Sequence, residues 1–472
     1  MLKKTFAICA LLVGIVSYSQ DHFSINDFIE NSKKSIEYAN FKKEKLLDEK
    51  ENLLFEKKFL PDVSLNFTLP TYNRSISNVI QPDGTIAFRE SNNANSRVNL
   101  SVSQKIPFTG GELSVTNSFN RLDLFRDEEN TTSYSASWIG INLSQPLNFF
   151  NSIKWDKKIY KAKLEYNDIS YIRKNIEIKK KAIDNYFALM SIKNQKIIIE
   201  NKIDVAIKYN NIIKKLIETG KVMAYDSVDS KLKILSIQKN INFINKSEIL
   251  KTDNINTFFN SKVLKKNDVL EVPRLEFQLD ELNHYINKYL EAYAIIEENS
   301  LIGLEKSFKQ QQKNRFYNAT LTMGIGFNNS TEIFNNILQN PNQSQNFSLS
   351  LNIPLLDFGK KRIELEVSKT EYDIKVSDLA MEKNITIQRI TFLYEEINDL
   401  ILGLKIEKER TSLLKIKLDR IESLLYVKKI LLRDFSESES EYYSSLNDQL
   451  SILRNIYNKV IELEEVTFFE II

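Results

Sequence analysis

Two long stretches without proline constrain the fold of this chain most strongly. The first runs from Leu147 to Val272, and its 126 residues contain Gly220 as the only glycine. The second runs from Leu355 to Ile472 and contains only Gly359 and Gly403. Proline disrupts helix interiors, and a helix rises about 1.5 Å per residue, so the part before Gly220 alone could reach on the order of 100 Å. The sequence therefore predicts long helices that lie in pairs.

Charge and residue usage exclude several classes of protein. The chain has 472 residues with a formal net charge of only +3, and its lysines and glutamates are interleaved, which is typical of solvated helix faces rather than of a nucleic-acid partner. The only cysteine is Cys9, and the only histidines are His22 and His284. No disulfide, cofactor or metal site is expected, and the chain is not expected to be an enzyme.

The amino terminus has the pattern of an export signal. Lys3 and Lys4 precede an apolar core from Phe6 to Val16, and small residues follow before Gln20. This pattern predicts a secretory signal peptide over residues 1–19. The core is too short to cross a bilayer, and no later segment has eighteen consecutive apolar residues.

Apolar and polar residues alternate between the helical stretches. Val63, Leu65 and Phe67 are separated by polar residues, as strands with two unlike faces require. The alternation predicts about four strands in residues 62–146 and two in residues 318–354. Prolines stand at the strand ends: Gln145 and Pro146 at the first exit and Pro354 at the second.

Helical spacing predicts the remaining elements. One amphipathic helix is expected from Ile25 to Leu60 with Ser24 as its N-cap, and another from Asp280 to Arg315. A glycine after a long periodic run predicts a C-cap and reversal at Gly220. The final helical stretch is expected to be interrupted only by Ser436 to Ser440.

The chain contains two copies of this pattern. Residues 62–65 align with 318–321 at an offset of 256, and residues 163–166 align with 369–372 at an offset of 206. The first copy would then hold 50 more residues, which fits an additional strand pair over about 92–128. The predicted organisation is a signal peptide (1–19), a first repeat (20–275) with strands (62–146), a helical hairpin (147–252) and a connector (253–275), and a second repeat (276–472) with strands (318–354) and a hairpin (355–472).

In this order, with strand exits at Gln145-Pro146 and Ile353-Pro354, the chain resembles the TolC-like outer-membrane efflux channel family. The resemblance implies a membrane β-barrel closed by three chains and a long α-helical barrel that extends into the periplasm. It implies a homotrimer in outer-membrane lipid, partnered by a periplasmic adaptor (membrane fusion) protein and an inner-membrane transporter. The implied function is a passive exit duct of a tripartite efflux or type I secretion system.

The resemblance also suggests where the tube would narrow. Gly220 and Asp226 match the family's first hairpin tip. In the second tip the best sequence register places Phe435 at the family's glycine and Glu441 at its carboxylate, with Glu437 and Glu439 nearby. The alternatives are an N-cap role for Asp226 and an ordinary exposed acidic helix end for the three glutamates.

A second function fits the same pattern. The chain could be a periplasmic adaptor or structural coiled-coil protein that docks to a transporter, with its strands in a soluble sandwich. Such adaptors usually carry one hairpin, whereas hairpins are predicted twice here. The sequence alone identifies neither the transported substrate nor the partner pump.

Overall fold

The computed structural model describes residues 22–126, 130–220, 223–275, 277–426 and 432–472. The predicted signal peptide lies outside these residues. In chain order the elements are β1 (His22–Phe23), α1 (Ile25–Ser32), α2 (Ile36–Lys57), β2 (Asp62–Ile80), β3 (Ile86–Ile106), β4 (Gly111–Leu124), β5 (Thr131–Pro146), α3 (Ser152–Glu218), α4 (Ala224–Phe258), β6 (Val269–Leu270), α5 (Leu282–Asn314), β7 (Asn318–Thr331), β8 (Asn342–Asn352), α6 (Lys360–Tyr426) and α7 (Leu432–Thr467).

The first helical stretch is two helices, so the prediction of one helix was wrong. Ser24 caps α1 as predicted, in a reciprocal arrangement with Asp27. The helix then ends at Ser32, whose hydroxyl donates to the carbonyl of Ile29. Ser35 is buried, and its hydroxyl accepts the backbone N–H of Tyr38 in the first turn of α2. A second capping serine therefore restarts the helix.

Six strands form one antiparallel sheet in the order β2-β3-β4-β5-β7-β8. Their number agrees with the sequence prediction. The turn from β3 to β4 covers residues 107–110, where Gly110 has a φ of +79°. Only a glycine adopts this backbone conformation without strain. The end strands of the sheet are β2 and β8.

The two helical hairpins repeat with one constant offset. The helices α3 and α6 each have 67 residues, and α6 begins and ends 208 residues after α3. The next helix, α7, also begins 208 residues after α4. The predicted offset of 206 was therefore wrong by two residues, because a match of three residues out of four cannot fix the register of a helix. The strand offset of 256 agrees with the starts of β2 and β7.

The predicted helix bounds also change in detail. Residues 147–151 and 353–359 leave the strands before the long helices begin. The helix α4 continues to Phe258, so the connector begins later than residue 253. Residues Ser436 to Ser440 lie inside α7, so the interruption predicted there was wrong.

The chain divides into two compact units. One comprises the sheet with residues 44–170 and 290–385, and the other comprises the residues up to Lys43 with 171–289 and 386–472. In the second unit, Tyr186 of α3 is fully buried, and its ring meets Phe28 edge-on at 4.9 Å. Its hydroxyl donates to the carbonyls of Phe23 and Glu271, next to the parallel pair formed by β1 and β6.

Candidate channel wall and helical tips

One face of the sheet carries apolar side chains from all six strands. Directly paired residues on neighbouring strands point to the same face, so each row of the sheet can be followed across its strands. One row reads Val63, Val102, Val115, Ile141 and Ile325. A second row places Leu143, Met323 and Phe347 beside each other up to the end strand β8. Several of these side chains are exposed, including Val63, Ile141, Ile325 and Phe347.

The opposite face is small and polar. The adjacent row reads Ser64, Ser101, Thr116, Gly140, Gly326 and Ser344. At two glycines of this row, a close approach of neighbouring atoms opposes a larger side chain. A Cβ at Gly326 would lie 2.7 Å from the carbonyl oxygen of Ile139, and one at Gly140 would lie 3.0 Å from the hydroxyl of Thr116. The sheet thus exposes apolar side chains on one face and a smooth polar surface on the other.

The two strand exits are built in a similar way. Gln145 at the end of β5 donates to the carbonyls of Thr109 and Pro146, which fastens the β3–β4 turn to the exit. Five residues separate Pro146 from the start of α3, and five separate Pro354 from the start of α6. Pro354 is exposed, two residues beyond β8.

Side-chain caps begin both long helices. Asn151 accepts the backbone N–H of Lys154 and donates to the carbonyls of Pro107 and Phe108. Asp357 accepts the backbone N–H groups of Gly359 and Lys361 at the second exit. These bonds to the backbone lower the pKa of the Asp357 carboxyl.

Ion pairs join the long helices in a series. Glu248 of α4 pairs with Lys193 and Lys196 of α3. Lys179 and Lys180 of α3 pair with Glu464 and Glu465 of α7. A further pair, between Lys459 of α7 and Glu396 of α6, completes the series. The contacts therefore link α4 to α3, α3 to α7, and α7 to α6.

The two helices at the ends of this series expose apolar stripes. On α6 the exposed residues fall at heptad spacing: Phe392, Leu402, Ile406, Leu413 and Ile416. On α4, Val228, Leu232 and Leu235 are exposed at spacings of four and three. Such spacing places side chains on one seam of a helix, where another helix can pack.

The first hairpin reverses at the predicted position. Helix α3 ends at Glu218, and Gly220 follows with a φ of +67° and donates to the carbonyl of Ile217. Met223 is the N-cap of α4 and has no side-chain cap, so Asp226 is not the N-cap. Asp226 lies instead in the first turn, where the helix dipole favours a carboxylate.

The register predicted for the second tip is wrong. Phe435 is buried within α7 and cannot take the place of the glycine of the turn. The offset of 208 places the counterpart of Gly220 at residue 428, outside the described residues. The counterpart of Asp226 is Asp434, the acidic residue in the first turn of α7. Sequence reasoning missed Asp434 because it relied on matching letters rather than on helix length.

The three candidate glutamates differ in environment. Glu437 is exposed. Glu439 is buried, and this burial raises the pKa of its carboxyl, although Lys202 and Lys233 act in the opposite direction. Glu441 forms an ion pair with Lys417 of α6 at 2.6 Å. Their role in a gate stays a prediction.

Among the described residues, no group of three histidine, aspartate or glutamate side chains is arranged to hold a metal ion. No helix in the described ranges has the length and apolar character needed to cross a membrane.

The chain thus contains a sheet with one apolar and one small polar face, and two equivalent long helical hairpins. No protein-family model matches the chain, and no curated protein sequence matches it. Solved structures do. CusC, described for its folding and transmembrane channel formation, has a TM-score of 0.65 and 12% identity over 94% of this chain and 91% of CusC.

Two further channels match over similar lengths. The outer-membrane protein VceC of Vibrio cholerae has a TM-score of 0.64 and 10% identity, over 94% of this chain and 95% of VceC. The CmeC outer-membrane channel of Campylobacter jejuni has a TM-score of 0.62 and 11% identity, over 94% of this chain and 85% of CmeC. The chain has the fold of TolC-family outer-membrane efflux channels, as the resemblance of its sequence to that family predicted.

Proposed function

We propose that the chain is an outer-membrane efflux duct that conducts substrates passively. The observation that carries the proposal is the sheet, which exposes apolar side chains on one face while the opposite face carries serine, threonine and glycine. A soluble sheet would cover its apolar face with a second layer. A strand that separates lipid from a water-filled lumen has the pattern found here.

Closure of the wall requires more than one chain. An open sheet edge is not tolerated in the hydrocarbon region, and β2 and β8 are both end strands. The helices α4 and α6, which expose apolar stripes, likewise stand at the two ends of the helix series, as β2 and β8 stand at the two ends of the sheet. Pairing β8 with β2 of the next copy, and α6 with its α4, would form a ring. A homotrimer with an eighteen-stranded barrel and a tube of twelve long helices is the assembly we propose.

The location and partners follow from this assembly. The barrel would lie in the outer membrane, and the hairpins would extend into the periplasm. Passive conduction needs an energy source elsewhere, so we propose that an inner-membrane transporter and a periplasmic adaptor dock at the hairpin tips. A tripartite efflux pump and a type I secretion system both fit this arrangement.

Cysteine cross-linking tests the ring directly, because the chain beyond Cys9 has no cysteine of its own. Asn66→Cys on β2 would be combined in turn with cysteines at residues 346, 348 and 350 of β8. A disulfide between copies gives dimers and trimers on a non-reducing gel. The control pair Ser64→Cys with Ser101→Cys, which are directly paired on adjacent strands, forms a bridge within one chain and stays monomeric.

Two further measurements test the function. The purified protein is expected to conduct ions in planar bilayers and to fractionate with the outer membrane. A monomer that conducts no ions and is recovered in the soluble periplasm after osmotic shock would refute the proposed duct function. That result would favour an adaptor or structural coiled-coil protein.

A further inference from the structure

A cavity of about 460 Å³ lies in the helical unit, between the hairpins and the segment that follows α4. Helices α3, α6 and α7 supply most of its walls, and residues 266–273 form another side. Its volume is in the range of small-molecule sites. The surface is mostly apolar, with contributions from Met190, Leu404, Leu446, Leu450 and Leu453.

The polar side chains of the cavity carry an excess of positive charge. Lys193 and Lys196 both pair with Glu248, at 2.9 Å and 2.8 Å, and the carboxylate side chain is only 1% exposed. One carboxylate shared by two ammonium groups leaves one positive charge uncompensated. Lys193 has a second acceptor in the carbonyl of Lys266, whereas the hydrogen bond to Glu248 uses only one of the three N–H donors of Lys196.

Two more lysines line the cavity. Lys266 and Lys408 are exposed, and in the described part of the chain neither ammonium group forms an ion pair. Two other carboxylates line it. Asp268 is buried and accepts the backbone N–H of Lys265, and Glu200 is exposed. Four lysines thus face three carboxylates.

We propose that this cavity binds an anionic amphiphile, a small molecule with a carboxylate, sulfonate or phosphate head and a short apolar body. The leucine and methionine side chains would bury the apolar body. The free donors of Lys196 and the ammonium groups of Lys266 and Lys408 would hold the head, because hydrogen bonds between charged groups are stronger than neutral ones. A cationic amphiphile of equal size would be repelled.

Octanoate is a suitable probe, compared with octan-1-ol and octylammonium, which share its apolar chain. The full protein in nanodiscs, or in buffer if it is recovered soluble, would be titrated by calorimetry with empty nanodiscs subtracted. Saturable binding of octanoate, and weaker binding of the other two, is expected. The measurement does not depend on the duct function, because it needs neither a pump nor conduction.

Lysine variants locate the head group. Lys266→Gln and Lys408→Gln should each weaken octanoate binding by about fivefold, as expected for exposed charges. Lys405→Gln, an exposed lysine one turn away on α6 that does not line the cavity, is the matched control and should bind as the parent does. These exposed positions should leave the fold intact, which size-exclusion chromatography checks.

A photoreactive diazirine analogue of octanoate locates the apolar body. Its label should fall on the peptide that contains Leu446 to Leu453, and excess octanoate should remove it. Equal binding of all three probes, equal loss in Lys405→Gln and Lys408→Gln, or label only on the strands would each refute the proposal, since these results indicate partition into lipid or another site.

Discussion

Asp226 and Asp434 are equivalent residues, 208 positions apart, each the third residue of the returning helix of its hairpin. A carboxylate in the first helical turn interacts favourably with the helix dipole. If the hairpins end at the narrow part of a tube, three copies of each aspartate would surround its axis. The tip carboxylates are therefore proposed to set the charge that an entering ion meets.

Replacement of Asp434 tests this assignment. Asp434→Asn should lower the preference for K⁺ over Cl⁻ by roughly twofold, because it removes a charge at a constriction. The reversal potential in a KCl gradient across a planar bilayer measures the preference. Glu441→Gln is the comparison, and it should change selectivity less because Glu441 lies seven residues further along α7, away from the tip. A larger effect for Glu441→Gln would restore the register predicted from sequence.

Local patterns in the sequence predicted most of the fold. The alternation at Val63 to Phe67 identified strands, and Gly220 identified the first reversal, because both are set by residues close in the chain. The second tip and the break before Ser35 were missed. Three matching residues out of four at an offset of 206 could not reveal a helix-to-helix offset of 208. The pairing of Glu441 with Lys417 depends on two helices that meet only after folding.

The ion pair between Lys179 and Glu464 should be important for stability. Their charged atoms lie 2.6 Å apart, and the side chains are only 6% and 0% exposed. Burial raises the pKa of the Glu464 carboxyl, and Lys179 opposes that shift. Lys179→Met would leave the carboxylate buried without its cation and should cost about 3 kcal/mol. Thermal unfolding followed by circular dichroism measures the change.

A neighbouring pair supplies the control for that experiment. Lys180 and Glu465 join the same two helices but are partly exposed. Lys180→Met should therefore cost within about 1 kcal/mol. The double variant Lys179→Met with Glu464→Met should recover much of the lost stability. Equal losses in the two single variants would show that burial does not determine the strength of these pairs.

Gly220 should tolerate no side chain without strain. Its φ of +67° is left-handed, and apart from its chain neighbours no atom of the described residues lies within 4 Å of an added Cβ, so the backbone conformation is what opposes substitution. Gly220→Ala should destabilise the hairpin by about 1 kcal/mol. Gly403 lies inside α6 and is equally open, so Gly403→Ala should stabilise by a similar amount. Denaturant unfolding of both variants gives the comparison, and a stabilising Gly220→Ala would contradict the assigned turn.

The two faces of β2 should respond differently to charge. Leu65 belongs to the apolar face, and Asn66 is the next residue and points to the polar face. Leu65→Arg should cost about 2–4 kcal/mol in a barrel surrounded by lipid, whereas Asn66→Arg should be tolerated in a water-filled lumen. The amount of heat-resistant trimer in outer-membrane fractions measures both. Equal loss of trimer in the two variants would contradict the assignment of the faces.

The buried carboxyl of Glu439 should make stability depend on pH. Burial raises its pKa above the usual value of 4.5, so the folded chain holds a proton that the unfolded chain loses between these two pKa values. The free energy of unfolding therefore falls as pH rises through this window. Glu439→Gln removes that dependence, and the variant should be more stable than the parent at pH 8, with the difference shrinking toward pH 4.5.

The control for this pH experiment must leave the charged groups around Glu439 unchanged. Lys202, Lys233 and Glu422 surround Glu439, and none of them is changed in the variant. Glu437→Gln removes an exposed charge two residues earlier on α7, where water screens it, and should leave the slope of stability with pH nearly unchanged. Urea unfolding at several pH values gives both slopes. A slope that is unchanged in Glu439→Gln would mean that this carboxyl does not remain buried in the assembled protein.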